Sequence, residues 1–437
     1  MNTIVLDREH AGGAFKPLNA TNGGPWHRRY TNDQLRSNFE EYKAARIPYA
    51  RNHDSAVHGI YGGPYSHDIS CIFPRFDADE CDPASYDFAC TDEAILCALD
   101  AGTKTFFRLG QTIEHQIKKH NTLPPKDFHK WARICEHIIR HYTEGWADGF
   151  TLDMDYWEIW NEPDLDPDGS TNKRCWGGTE AQFFDFYEIA AKHLKGCFPH
   201  LKIGGPALAG KVAWAERFLK EMRRREVPID FFSWHIYGTD PSAFLERGQR
   251  IKALLVENGY GDSESILNEW NYVRGWREDF KYSILAIHGI KGAAFTMAII
   301  SEAQASDTID MLMYYDTRPS AFCGAFDLYS YEPLKGYYPL LWYGSFYDLE
   351  RYVPVKDCPK GLYALCGEDA SGKLTCVLTH YAEDDSTPAR EVTLDIGRAG
   401  RFEAFLLDET HDGTSIGEYT DLTFTMPCHS CILLKEV

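Results

Sequence analysis

The chain has 437 residues, 44% of them hydrophobic. That is enough for one large domain with a small one beside it, or for two or three of average size, around a substantial core. Against 45 basic residues stand 65 acidic ones, and the formal charge of −20 repels nucleic acid and anionic membrane surfaces.

At the N-terminus, Met1 to Glu9 carries charges where a secretory leader needs an apolar stretch. No run reaches the roughly 18 apolar residues of a membrane span. The thirteen cysteines are odd in number and lack framework spacing, which fits a reduced, cytoplasmic protein. Cys428 and Cys431 form a Cys-x-x-Cys pair, but no second pair has partner spacing, so no metal or redox role is expected of it. Aromatic residues make up 14% of the chain; they suit a surface that packs sugar faces and serve an aromatic core equally well.

From residue 17 to 350 short apolar runs alternate with amphipathic stretches, the pattern of repeated βα units. Eight strands are expected, near Phe15–Asn19, Tyr49–Arg51, Lys104–Leu109, Tyr156–Trp160, Lys202–Gly205, Phe231–His235, Ser265–Asn268 and Met311–Tyr315. Thr31 with Gln34, and Thr179 with Gln182, have capping-box spacing, and Gly102 reads as a helix stop. Eight such units close into a (β/α)8 TIM barrel, an α/β fold. After residue 350 the texture becomes short and β-rich: Gly361–Glu368, Lys373–Tyr381, Arg390–Ile396, Phe402–Asp408, Leu422–Thr425 and Cys431–Lys435, with a hairpin turn at Ala370-Ser371-Gly372. Residues 351–437 therefore read as a small antiparallel β-sandwich, to which Thr3–Leu6 within the first 16 residues can add a strand.

Two of the expected barrel strands end in carboxylates. Trp157-Glu158-Ile159-Trp160-Asn161-Glu162-Pro163 ends the fourth, and Ile266-Leu267-Asn268-Glu269-Trp270-Asn271 ends the seventh. Polar groups at C-terminal strand ends point into the site of a barrel enzyme. Hydrolysis of a glycosidic bond needs two carboxyl groups, one protonated and one ionised. Asn161 beside Glu162 can orient a substrate hydroxyl without ionising its neighbour, and Arg51, at the end of the second strand, can hold Glu269 ionised. A pair of capping or surface acids is the plain alternative; the matching strand ends and the tryptophans alongside, Trp270 among them, count against it.

The run from Trp157 to Leu165, followed by Trp176, Lys202-Ile203-Gly204-Gly205-Pro206-Ala207 and Ser233-Trp234-His235-Ile236-Tyr237, resembles glycoside hydrolase family 39, the β-xylosidases and α-L-iduronidases of clan A. The resemblance runs from about Asn19 to Tyr352 and on into the trailing sandwich. It implies Glu162 as acid/base, Glu269 as nucleophile and retention of configuration. It also implies that Tyr237 hydrogen-bonds the nucleophile, and that Arg51 and His53 match an Arg-x-His motif; there Asp54 replaces the usual glycine. Three departures bear on specificity. Arg108 stands where the xylosidases tend to have Glu, Gln111 where they have an aromatic, and Tyr314-Tyr315-Asp316 where the family often has Trp-Thr-Phe-Ser.

The sugar-binding wall is expected from His53, Arg108, Trp176, His235 and Asp316, with Trp176 as the stacking plane and Tyr237, Trp270 and Tyr315 nearby. His58 and His67 follow the same strand as His53 and read equally as a solvated polar loop, while Arg108 reads equally as the partner of a structural acid. Motifs of zinc peptidases, serine hydrolases and phosphate-binding loops are absent from the sequence. The expected function is a retaining, exo-acting glycoside hydrolase of short oligosaccharides or glycosides (β-xyloside, α-L-arabinoside or a related sugar). It needs no metal or organic cofactor, and its partner is a carbohydrate. Endo action, transglycosylation, a non-catalytic carbohydrate-binding barrel and a homo-oligomer stay open.

Overall fold

The first strand, β1 (Asn2–Leu6), lies apart from the elements that follow it in sequence. The next eight close into a parallel barrel: β2 (Ala20–Asn22), β3 (Tyr49–Arg51), β4 (Lys104–Leu109), β5 (Tyr156–Ile159), β6 (Lys202–Leu208), β7 (Phe231–Gly238), β8 (Glu264–Tyr272) and β9 (Met311–Tyr314). The structure is a computed structural model and describes residues 2–25, 37–52, 67–318, 320 and 322–437. Helices α1 (Phe39–Ala44), α2 (Ile69–Ile72), α3 (Ala89–Asp100), α4 (Phe128–Thr143), α5 (Glu180–Cys197), α6 (Val212–Arg224), α7 (Pro241–Glu257), α8 (Phe280–His288), α9 (Ile290–Ala305) and α10 (Tyr337–Ser345) intervene or follow. The Thr179–Gln182 capping box opens α5 with both of its reciprocal bonds, and Gly102, at φ 82°, follows α3. The Thr31–Gln34 spacing lies outside the described residues.

Strand alternation layers the barrel interior. Ala20, Phe106, Tyr156, Phe231, Ile266, Met311 and Met313 form a separate buried apolar cluster, with Tyr49 packed against it. The alternate residues, among them Phe107, Trp157, Phe232, Leu267 and Leu312, face the helices in the main core. One step toward the C-terminal strand ends the interior turns polar: Asn22, Arg51, Arg108, Glu158, Ser233 and Asn268 are all buried. The apolar layer thus plugs the barrel, and the polar layer forms the floor of the mouth.

The remaining strands build two sheets. β10 (Arg351–Tyr352), β12 (Leu362–Glu368), β13 (Leu374–His380), β18 (Ser430–Glu436), β15 (Phe402–Leu407) and β16 (Asp412–Tyr419) make a six-stranded antiparallel sheet, in the spatial order 10-12-13-18-15-16. β11 (Val355–Asp357), β1, β14 (Arg390–Asp395) and β17 (Thr423–Met426) make a four-stranded one, in which β1 runs parallel to β14 and antiparallel to β11. Helix α9 packs against β8 and against β12, β13 and β18. It is buried along most of its length, which explains an apolar helix without a polar face. Among the described residues no single helix is long and apolar enough to cross a membrane.

Two expectations need correction. The first barrel strand is Ala20–Asn22, not Phe15–Asn19. Phe15 is instead packed edge-on among the rings of Tyr343, Phe346 and Tyr352, so its apolarity belongs to the seam between barrel and sheets. Strand β16 was not expected, because its residues are mostly exposed and polar and only the pairing with β15 makes it a strand.

Candidate active site

Glu162 leaves β5 through a tight turn in which Trp160 and Glu162 both have positive φ, 74° and 47°. Each is unfavourable for a residue with a Cβ. The turn is held from outside: the Glu162 N–H donates to the Ala207 carbonyl at 2.9 Å. The Asp164 carboxylate accepts from the N–H groups of Ala209 (2.7 Å) and Lys211 (3.0 Å). Burial pushes Asp164 up to about 6, against the pull of those two bonds.

Glu269 reaches the mouth by a different device. Along β7, Phe231, Ser233, His235 and Tyr237 alternate inward without interruption. In the β7–β8 pairing Trp234 sits opposite Leu267 and His235 opposite Glu269, so Asn268 is an extra residue. This bulge lets Asn268 and Glu269 both face the interior and returns Trp270 to the helix side.

The geometry at the mouth is tight. His235 Nδ1 lies 2.9 Å from Glu162 Oε1 and 3.5 Å from Glu269 Oε2. The Tyr237 hydroxyl donates to Glu269 Oε1 at 2.6 Å, and Arg51 Nη1 lies 3.4 Å from Glu269 Oε2. The Cys175 thiol lies 3.8 Å from Glu162 Oε2. One oxygen of each carboxylate and a ring nitrogen of His235 fall within 4.8 Å of one another. Burial pushes the Glu269 carboxyl up and Glu162 adds to the rise, while His235, Arg51 and the Tyr237 hydroxyl pull it down; the net direction is upward. Burial lowers His235 and, together with Glu269, raises the Tyr237 phenol. The imidazole and phenol are therefore neutral. His235 Nε2 is buried without a partner, so its single proton is assigned to Nδ1, where a carboxylate receives it.

Beneath the pair lies a network that sequence reasoning missed. Arg51 is fully buried and donates through Nε to Glu158 at 2.7 Å, through Nη1 to Asn22 at 3.1 Å and through Nη2 to Asn161 at 2.6 Å. Glu158 also accepts from Ser233 at 2.5 Å and from Asn268 at 2.6 Å. The nearest carboxylate to Arg51 is therefore Glu158, and Arg51 alone does not hold Glu269 ionised. The available signal was a charge inside the apolar run Tyr-Trp-Glu-Ile-Trp, which strand alternation points into the barrel.

The other expected residues divide. His235 and Tyr237 meet the glutamates as described. Tyr315 places its ring 6.3 Å from that of Tyr237, and Asp316 is buried with Arg318 at 3.3 Å. Arg108 pairs with Asp68 at 3.0 Å, a structural acid that also accepts from Thr112; its Nε and Nη1 are buried and without hydrogen bonds. Trp176 is not a stacking plane: it lies among Phe128, Trp160, Phe183 and Phe186 and donates to the Thr179 carbonyl at 2.9 Å. Trp270 faces away from the mouth, against Phe244, Phe295 and Tyr314. His53 and His58 lie outside the described residues, and His67 packs on Phe107. The open aromatic surface is Trp276, 59% exposed. Its ring lies 5.0 Å from Tyr237 and 6.0 Å from the nearly parallel Phe322.

Glu162, His235 and Glu269 are close enough to share a cation, as are Glu136, His193 and Cys197 on α4 and α5. At the mouth the Arg51 guanidinium already supplies positive charge. Cys428 and Cys431 are free thiols.

The model of the glycosyl hydrolases family 39 matches residues 46–253. The chain is 26% identical over 264 residues to a β-xylosidase of Geobacillus stearothermophilus, a match covering 53% of this chain and 48% of that one. It is 31% identical over 190 residues to a β-xylosidase of Caldicellulosiruptor saccharolyticus, covering 41% and 36%. It thus spans half or less of the length of these curated relatives. Among solved structures, a glucosidase from Croceicoccus marinus superposes with a TM-score of 0.79 at 22% identity, covering 100% of this chain and 99% of that one. A monomeric β-xylosidase from Caulobacter crescentus does so with 0.71 at 16%, over the same shares. These likenesses bear on the fold.

Proposed function

We propose that this chain, which belongs to glycosyl hydrolase family 39, cleaves terminal sugar residues from short glycosides by double displacement, with Glu269 as nucleophile and Glu162 as acid and base. The observation that carries this reading is the approach of the two carboxylates, with an oxygen of each within 4.8 Å. Retaining glycosidases keep their carboxyl groups about 5–5.5 Å apart, whereas inverting ones leave about 6.5–9.5 Å for a water.

The partners of each carboxylate support the division of roles. A hydroxyl donor and a guanidinium stabilise charge on Glu269, while Glu162 has a neutral imidazole and a thiol. In this reading the proton of the pair resides on Glu162. Glu162 gives it to the leaving oxygen as Glu269 bonds to the anomeric carbon and the glycosidic C–O bond breaks. Glu162, now ionised, takes a proton from water as that water attacks the same carbon and frees Glu269. Two carboxyl groups and water complete the cycle without a cofactor.

Exo action is favoured by the segment from Asp166 to Cys175. It folds back through the Asp166–Arg174 ion pair at 2.8 Å and brings Cys175 against Glu162, a placement that suits a cleft closed on that side. The names of the sequence relatives make β-xylosides the first substrates to test, ahead of α-L-arabinosides, β-glucosides, β-galactosides and α-L-iduronides. The decisive measurement is proton NMR of the anomer formed during early turnover; an inverted first product would overturn the assignment. Glu269→Ala should nearly abolish turnover, with azide restoring an inverted product. Glu162→Ala should spare the first step on activated aryl glycosides, and azide should then return a product of retained configuration.

A further inference from the structure

We propose that the accessory six-stranded sheet sets the sugar-binding wall of the active site, with Glu383 as a positioning residue for the loop that carries Trp276. The proposal rests on the glycosidase reading above.

The loop is residues 273–279, between the end of β8 at Tyr272 and the start of α8 at Phe280. It follows the strand of the nucleophile and presents Trp276, more than half exposed, against the ring of Tyr237, whose hydroxyl is bonded to Glu269. An open indole one ring away from the nucleophile is a surface on which a pyranose face or an aryl group can lie. Phe322 and Phe280 back it, their ring centroids 6.0 and 5.9 Å away.

What fixes the loop comes from elsewhere in the chain. Glu383 follows β13, in the segment that leads to β14. Its Oε1 receives both Nε and Nη2 of Arg274, at 2.8 and 2.7 Å, and its Oε2 receives the Tyr272 hydroxyl at 3.0 Å. One carboxylate therefore grips the last residue of β8 and the second residue of the loop. The Arg274 guanidinium also lies 3.8 Å over the Tyr282 ring, and its backbone N–H donates to Ser283 at 3.0 Å.

Glu383 is itself anchored. Lys291 of α9, nearly buried, lies 3.4 Å from Glu383 Oε2 and 2.8 Å from Asp385, and it donates to the Tyr282 hydroxyl at 2.9 Å. Tyr282 donates to Asp385 at 2.5 Å, and Tyr381 donates to the Thr239 carbonyl at 2.6 Å, two residues beyond Tyr237. A partly exposed ion pair adds little to global stability. Here its consequence is local, because Trp276 stands two residues from Arg274 and has no charged tether of its own in this network.

The test uses the whole chain and an aryl glycoside that it turns over. Glu383→Gln should raise KM roughly threefold to tenfold and leave kcat within about twofold, the signature of lost binding rather than lost chemistry. Trp276→Ala should raise KM at least as far, and the double variant should be no worse than Trp276→Ala alone, since both act through one surface. Arg274→Gln should copy Glu383→Gln and serves in its place should that variant not fold. An unchanged KM in Glu383→Gln and Arg274→Gln, or effects that multiply in the double variant, would overturn the proposal and leave the glycosidase reading intact. Absence of turnover by the unsubstituted chain on every glycoside would take down both.

Discussion

As the proposed nucleophile, Glu269 meets two opposed demands. A nucleophile must be ionised, yet burial pushes this carboxyl upward and Glu162 beside it does the same. The Tyr237 hydroxyl donates to it at 2.6 Å and so stabilises its charge. Since the ionised form is the active one, the acidic limb of the kcat/KM profile should lie above the ordinary carboxylate range. Tyr237→Phe removes the donor, raises Glu269 further and should move that limb to higher pH. The rate near the optimum should fall roughly tenfold, the scale of one hydrogen bond to a charged group. A limb that stays in place would mean that Tyr237 does not stabilise the charge. Linkage gives a second outcome. A carboxyl raised in the folded state makes a stabilising contribution that is present below its ordinary value and is lost as pH rises through the raised one. At neutral pH the ionised Glu269 therefore works against the fold. Glu269→Gln should be inactive yet more stable at pH 7, by on the order of 1 kcal/mol, with the difference vanishing in acid. Thermal midpoints of both proteins across pH measure it.

At the scale of elements, the strands were legible wherever alternation was regular. Tyr49–Arg51 and Lys104–Leu109 lie where the pattern put them; Glu162 follows β5 by three residues, and Glu269 lies within the C-terminal half of β8. What the pattern hid was direction. The extra residue Asn268 reverses the parity of β8, so the Trp270 that follows Glu269 turns to the helices, and no periodicity in one sequence announces a bulge. Trp176 misled for another reason: its position after Glu162 suits a stacking plane, but the loop that bears it dips back against α4 and α5. The buried layer of Arg51, Glu158 and Asn268 was readable in part, as charges within apolar strands, but its pairing needed the closed barrel. The correction at Trp176 can be checked by Trp176→Ala. Loss of a large ring from a packed aromatic cluster should cost about 3–5 kcal/mol of stability, read as a lower denaturant midpoint, while KM changes little. A variant of native stability and much weakened substrate binding would return Trp176 to the sugar site.

At the scale of the whole molecule, the central strands of the six-stranded sheet are buried on both faces. Leu365, Val377, Leu407, Cys431 and Leu433 belong to the same core as the barrel helices, and Leu362, Ala364, Cys366, Cys376, Leu378, Ile432 and Leu434 belong to the core between the two sheets. Peeling the sheets away would expose α9, whose apolar surface is buried nearly all round, so barrel and sheets should unfold together. The sequence supplies separate reporters for the two parts. Nine of the 11 tryptophans, from Trp131 to Trp276, lie in the described part of the chain between β4 and α8, so tryptophan emission follows chiefly the barrel. Cys366 and Cys376 are fully buried and face each other across β12 and β13, so their reaction with a thiol reagent follows the sheet; Cys358 and Cys428, only half-buried, label earlier and are set aside by mass mapping. In a denaturant series the emission change and the labelling of Cys366 and Cys376 should share one midpoint, as cooperative unfolding of a shared core requires. Labelling of these two thiols at a denaturant concentration that leaves the emission native would mean that the sheets open alone. Their hold on Arg274 and Trp276 would then be a contact the chain makes and breaks while the barrel stays folded.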